Sequence, residues 1–182
     1  MPVYSHGMPV GTRAPAFSLP ATDGNTYALD SFRDSSVLIV VFTCNHCPYA
    51  IAIEDRLVAL ANSYSGKSVS FVAINANDAQ HYPDDSFDNM VKRARDKRFP
   101  FPYLHDESQS VARAYDAACT PDIFVFNSAR ELQYNGRFDD NWKEPDNVTR
   151  QDLRDVIDCV LGDRPLPFAP VHSMGCSIKW KK

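Results

Sequence analysis

Apolar and polar positions switch between two periods along this chain. Short extended stretches at residues 14–19 and 26–29 flank Asp23-Gly24-Asn25. Asp-Gly and Gly-Asn pairs tolerate the positive φ of a tight turn, so this segment predicts an N-terminal hairpin. Val37-Leu38-Ile39-Val40-Val41-Phe42 is continuous and β-branched, the pattern of a strand buried on both faces. Over residues 47–64 the period changes: Ala50, Ile53, Leu57, Leu60, Ala61 and Tyr64 recur at three- and four-residue intervals, which predicts a helix. Pro48 suits its first turn and Gly66 its stop. A strand over 69–74, a helix over 84–97, an extended piece at 103–104 and a short helix over 109–115 follow. Residues 122–126 read as a strand that turns at 127–130 into 132–137. Leu153, Val156, Ile157, Val160 and Leu161 form the stripe of a last helix over 149–161, ended by Gly162.

The sum is strand–helix–strand–helix, then a hairpin, then a helix. That order predicts an α/β fold, a central mixed sheet flanked by helices. Residues 1–164 read as a single domain. From Gly162 onward, with Pro165, Pro167 and Pro170, the chain reads as irregular, and residues 165–182 as a tail packing on the same domain.

Composition narrows the function classes. The 182 residues suit one domain with a sizeable core. A formal net charge of -4 gives no electrostatic reason to expect nucleic acid or an anionic membrane as partner. The longest apolar run, Val37 to Phe42, is far too short to cross a bilayer. The first residues lack a basic start followed by an apolar stretch, so a cytoplasmic location is expected.

Five cysteines stand at positions 44, 47, 119, 159 and 176. Cys44-Asn45-His46-Cys47 joins the buried strand to the next helix. Unpaired N–H groups and the helix dipole stabilise a thiolate there. Such motifs depress a cysteine pKa to roughly 3.5–7.5, from about 8.5 when free. As a cation, His46 would add to the stabilisation of a Cys44 thiolate and make the disulfide more oxidising. A structural zinc site would need two further ligands. No second close Cys pair supplies them, and Cys119 and Cys176 are the remaining distant donors, so no metal is expected. Cys159 falls beside the apolar stripe of the last helix and reads as structural.

The strand followed by Cys44-Asn45-His46-Cys47-Pro48-Tyr49 resembles the thioredoxin superfamily. It is especially similar to a peroxiredoxin-like branch near the alkyl hydroperoxide reductase/thiol-specific antioxidant (redoxin) family. Residues 11–19, Asn75-Ala76-Asn77-Asp78, the stretch 82–90 and the ending Gly175-Cys176-Ser177-Ile178-Lys179-Trp180-Lys181 carry the same resemblance. It implies a thioredoxin-like fold with an N-terminal hairpin and an inserted segment. It also implies that Thr120-Pro121 is a cis-proline corner facing the dithiol, with the Thr120 backbone free to pair with an extended substrate. Two departures are visible. The peroxiredoxin pattern Pro-x-x-x-Thr-x-x-Cys is not matched, because Thr43 directly precedes Cys44 and lies four before Cys47. The buried acid that thioredoxin keeps in the preceding strand is also missing; Glu54 and Asp55 are only near in sequence.

Three functions are weighed. In the first, a thiol–disulfide oxidoreductase, Cys44 attacks a disulfide and Cys47 resolves it. His46 tunes the poise, and Thr120 and Pro121 position the substrate. In the second, an antioxidant thiol peroxidase, a hydroperoxide oxidises Cys44. The third is a metal-binding or copper-delivery module. The oxidoreductase reading needs no cofactor and serves cell redox homeostasis. Its partners would be a disulfide- or dithiol-containing protein or a small thiol, and a recycling reductase, with the protein a monomer or homodimer. Cys119 and Cys176 are candidates for additional redox roles, Cys176 through a tail that folds back.

Overall fold

The apolar run expected to be covered on both faces lies at the middle of the molecule. A computed structural model describes residues 1–182. In chain order it contains β1 (Val3–Tyr4), β2 (Ser18–Pro20), β3 (Thr26–Ala28), β4 (Val37–Phe42), α1 (Pro48–Ser63) and β5 (Val69–Asn75). Then come α2 (Phe87–Asp96), β6 (Tyr103–His105), α3 (Ser110–Ala114), β7 (Cys119–Thr120), β8 (Asp122–Phe126), β9 (Leu132–Gly136), α4 (Asp152–Leu161) and β10 (Met174–Ser177). The main sheet has the order β6-β5-β4-β8-β9. β4 runs parallel to β5 and antiparallel to β8. β5 and β6 are parallel, and β8 and β9 antiparallel.

Because side chains alternate across a strand, β4 supplies both halves of the core. Leu38, Val40 and Phe42 join Phe17, Phe32, Tyr115, Phe124 and Phe126 under the hairpin and α3. Val37, Ile39 and Val41 join Ile53, Leu57 and Leu60 of α1, Met90 of α2, and Leu153, Val156 and Ile157 of α4. The mixed α/β sheet with helices on both faces is therefore as the pattern predicts. β2 and β3 pair as the expected hairpin, with Gly24 at φ +86° in the turn. No helix is long and apolar enough to cross a membrane.

Three segments differ from expectation, two because a side chain captures the backbone and one because distant strands pair with it. The helix expected from residue 84 begins as α2 only at Phe87. Asp85 turns inward, the chain breaks at Ser86 (φ -60°, ψ 152°), and the Ser86 hydroxyl accepts the Asn89 N–H as a cap. The helix expected from residue 149 begins at Asp152. Thr149 and Arg150 instead donate their backbone N–H groups to the Asp140 carboxylate. The tail expected to be irregular carries β10, which pairs antiparallel with β1 on one side and β7 on the other. Nothing in Met174-Gly175-Cys176-Ser177 alternates strongly; two distant two-residue partners make it a strand.

That pairing depends on a missing side chain. A Cβ on Gly175 would lie 2.0 Å from the Thr120 carbonyl oxygen. Gly175→Ala is therefore expected to detach β10 from β7, read as faster limited proteolysis after α4. Cleavage at the wild-type rate would show that the strand adjusts.

β8 opens on an acid with almost no access to water. Asp122 is 0% exposed and accepts only neutral donors, Asn135 Nδ2 at 2.9 Å and the Ala118 N–H at 3.2 Å. Burial pushes its carboxyl up from 3.8 to about 7. Between those pH values the folded chain holds a proton that the unfolded chain has lost. The stability tied to Asp122 is thus complete below pH 3.8 and declines as pH rises to about 7. The wild-type unfolding temperature should fall from about pH 5 to about pH 8, and Asp122→Asn should flatten that fall. Equal slopes in the two proteins would assign the effect to other groups.

Candidate active site

The segment Thr43-Cys44-Asn45-His46-Cys47 leaves the end of β4 and enters α1. Pro48 occupies the first helical position, and Cys47 is the N-cap residue with extended φ/ψ (-73°, 121°). The unpaired amides of the first turn therefore gather at Cys47, with Cys44 three residues earlier. Both are free thiols, and they form one small apolar cluster with Ala50, against which Tyr49 and Cys176 pack. Cys44 is 3% exposed and Cys47 0%.

The cis peptide Thr120-Pro121 faces this pair. Thr120 Oγ1 lies 3.3 Å from Cys44 Sγ, and as a thiol Cys47 donates to the Thr120 carbonyl at 3.0 Å. The Thr120 backbone is not a free edge, contrary to expectation. Its pairing side is taken by β10, in the register Cys176↔Thr120, and Thr120 is buried. Directly paired residues point to the same side of a sheet, so Cys176 faces the dithiol along with Thr120. Pro121 instead borders a cavity of about 200 Å³ whose apolar lining includes Tyr4, Tyr49, Phe138, Trp142 and Met174.

The two thiols act on each other. Cys47 is lowered to about 4, first by the hydrogen bond from Cys44 and then by those from Cys176 and Thr120, with the Ala50 amide adding. Cys44 is pushed up, first because it donates to Cys47, then by burial and by the negative charge of Asp85. The neighbouring Cys44 thiol is the first cause of the lowering at Cys47, and the Ala50 amide of the first helical turn is a smaller one.

His46 does not point into solvent, nor does its charge act on Cys44 alone. Its Nδ1 donates to Asp85 at 2.6 Å, and its ring stacks on Tyr82 at 5.5 Å. Asp85 is fully buried and collects four donors. Asn45 N–H (2.7 Å) and Asn75 Nδ2 (3.2 Å) reach Oδ1; His46 and Asn77 Nδ2 (2.7 Å) reach Oδ2. Asn45 also donates to the Asp84 carbonyl and accepts from the Tyr103 hydroxyl. Asp85 is the residue at this site that the sequence did not disclose. The polar run 75–78 and the stretch 82–90 signalled an insert, but no local feature separates Asp85 from Asp84. Glu54 and Asp55, the acids near in sequence, are committed elsewhere: Glu54 pairs with Arg93 and Lys97, and Asp55 with Lys97.

Cys44, His46 and Asp85 place three possible metal donors within 4.8 Å of one another. Each Asp85 oxygen already accepts two N–H groups, so a metal ion here would have to displace them. Cys119 lies on the other side of β7 from Thr120. Its thiol points at the Pro121 and Ser173 carbonyls and is held protonated by burial. Cys159 is buried on α4.

No curated protein matches the chain. Among solved structures, an uncharacterized conserved protein from Geobacillus kaustophilus is 46% identical, with 100% of this chain and 97% of that chain covered and a TM-score of 0.94. The thioredoxin domain of a thiol-disulfide oxidoreductase from Bacteroides vulgatus has 16% identity, coverages of 71% and 89%, and a TM-score of 0.60. The peroxidoxin BcpB from Mycobacterium tuberculosis has 18% identity, coverages of 86% and 96%, and a TM-score of 0.60. The last two share the thioredoxin-like fold, the mixed sheet flanked by helices described above. The Redoxin family model spans residues 9–157, from before the hairpin into α4, and so encloses both the dithiol and the cis corner. With that span, this chain, whose fold is thioredoxin-like, belongs to the Redoxin family.

Proposed function

We propose that the protein is a thiol–disulfide oxidoreductase whose redox-active group is the Cys44/Cys47 pair. The observation that carries this reading is the pair of free thiols packed together at the N-terminus of α1, both in contact with Thr120 of the Thr120-Pro121 corner. A thiolate held at Cys47 is a good leaving group, which makes the Cys44–Cys47 disulfide an oxidant of dithiols. Cys44 completes the pair: it donates to the Cys47 thiolate when reduced and bonds to it when oxidised. The His46–Asp85 pair fixes the loop between them and places an imidazole and a carboxylate beside Cys44. The substrates are a dithiol- or disulfide-containing protein or small thiol in the cytoplasm, and a reductase recycles the pair.

Peroxide reduction is the second reading, and one contact favours it. The Thr120 hydroxyl reaches Cys44 Sγ, giving that sulfur a hydroxyl neighbour that Thr43 was not positioned to supply. Peroxide would then oxidise Cys44 to sulfenic acid, and Cys47 would condense with it to the disulfide.

Two measurements test these assignments. Thiolate absorbance of the reduced protein should be present at neutral pH and disappear on acidification with a midpoint near about 4. That transition should be absent from Cys47→Ser and shifted to higher pH in Cys44→Ala, which lacks the donor. A transition that survives in Cys47→Ser would move the charge to another thiol. In the second measurement, reduced protein receives a small excess of hydrogen peroxide beside a Cys44→Ser control. Thiol loss at the pace of an ordinary cysteine supports disulfide exchange; loss within seconds that requires Cys44 establishes the peroxidase.

A further inference from the structure

The reactive pair is enclosed, and the segment that encloses it carries its own thiol. Neither Cys44 nor Cys47 offers a sulfur to a large substrate, at 3% and 0% exposure. Above them lies β10, whose Cys176 is half-buried and packs on the same cluster. Paired with Thr120, whose carbonyl Cys47 contacts and whose hydroxyl Cys44 contacts, Cys176 is placed beside both thiols, and it acts on Cys47.

The strand is not loosely laid over the site. β1 and β7 hold it on both edges. Beyond it, Asn77 accepts the Lys179 N–H at 2.8 Å, and Asp78 N–H donates to the Lys179 carbonyl at 2.8 Å. Gln109 donates to that same carbonyl and accepts from the Lys181 N–H. Ile178 is buried with the core beneath the hairpin. Asn77 is also a donor to Asp85, so one side chain fixes both the dithiol loop and the tail.

We propose that Cys176 is a third catalytic thiol, relaying disulfide exchange between the enclosed Cys44–Cys47 pair and an external dithiol. The proposal rests on the oxidoreductase reading above. In the first step Cys176 sulfur attacks Cys47 Sγ of the Cys44–Cys47 disulfide. The Cys47–Cys176 bond forms, the Cys44–Cys47 bond breaks, and the Cys176 proton passes to Cys44. An external thiolate then attacks Cys176 Sγ and expels the Cys47 thiolate, leaving a mixed disulfide on Cys176. The second thiol of the same dithiol closes the external disulfide, expels Cys176 and passes its proton to it. The external dithiol has lost two electrons and the Cys44/Cys47 pair has gained them, while Cys176 ends as it began. With an external disulfide as acceptor the same exchanges run backwards. Cys47 is reached from β10 because Cys176 packs on its cluster; in the first exchange the proton delivered to Cys44 lets that sulfur leave, and in the second the Cys47 thiolate is the leaving group.

The test uses full-length protein, diamide as oxidant and a short peptide carrying two reduced cysteines as the external dithiol. Wild type oxidised with diamide should yield the Cys44–Cys47 disulfide on peptide mapping. Cys44→Ser, treated alike, should yield Cys47–Cys176. The oxidised wild type should be reduced by the peptide at least about tenfold faster than oxidised Cys176→Ser or Cys176→Ala. If wild type forms Cys44–Cys47 but both Cys176 variants react at its rate, the relay is overturned and the oxidoreductase reading stands. A Cys44→Ser protein that forms no Cys47–Cys176 link also overturns the relay alone. A wild type that forms no Cys44–Cys47 disulfide overturns both.

Discussion

A carboxylate removed from water must be surrounded by donors or give up its charge. At Asp85 that requirement organises the functional half of the molecule. Its four donors come from the dithiol loop (Asn45 N–H and His46), from the end of β5 (Asn75) and from the segment just after it (Asn77). Each donor fixes something else in turn. Asn45 orders the turn between the cysteines, Asn75 reaches the Tyr103 hydroxyl, and Asn77 accepts the backbone of the C-terminal tail. Removing the acid would leave several buried donors unpaired, at a cost of about 1–3 kcal/mol for each.

Reactivity and access are separated in this site. The charge is easiest to place on Cys47, where the amides of α1 and two neighbouring thiols converge, yet that sulfur is among the least exposed atoms of the cluster. The corner residue Thr120 gives its carbonyl to Cys47, its hydroxyl to Cys44 and its pairing edge to β10. Gly175 permits that approach, because any side chain there would meet the Thr120 carbonyl. Enclosure keeps water and unrelated thiols from the pair, and the chain's own third thiol lies at its boundary.

The oxygen-rich insert and the apolar sheet play different mechanical roles. β4, covered on both faces, gives the dithiol loop a rigid origin. The polar stretch from Asn75 to Asp85 holds the loop from the side with hydrogen bonds whose geometry is directional. Its cost is visible in α2, which starts later than helix-forming residues allow because Asp85 is drawn into the network.

Elements specified by local pattern were legible from the chain alone. Val37–Phe42 reads as a two-faced strand because every residue is apolar. α1 reads from its apolar spacing and Pro48, and the hairpin from Asp23-Gly24-Asn25. The Cys44/Cys47 pair and its place at a helix start were equally visible, since spacing and capping are local properties. What only the tertiary structure decided rests on partners far apart in sequence. β10 exists because β1 and β7 meet it, and two- to four-residue strands carry no periodic signal of their own. Asp85 rather than Asp84 turns inward because donors from other segments wait there. Cys44 lies beside the negative charge of Asp85 because a segment about forty residues further along the chain folds against the dithiol loop. Sequence determines which residues can do chemistry; the placement of charge, donors and enclosure around them is a sum over contacts that no local window contains.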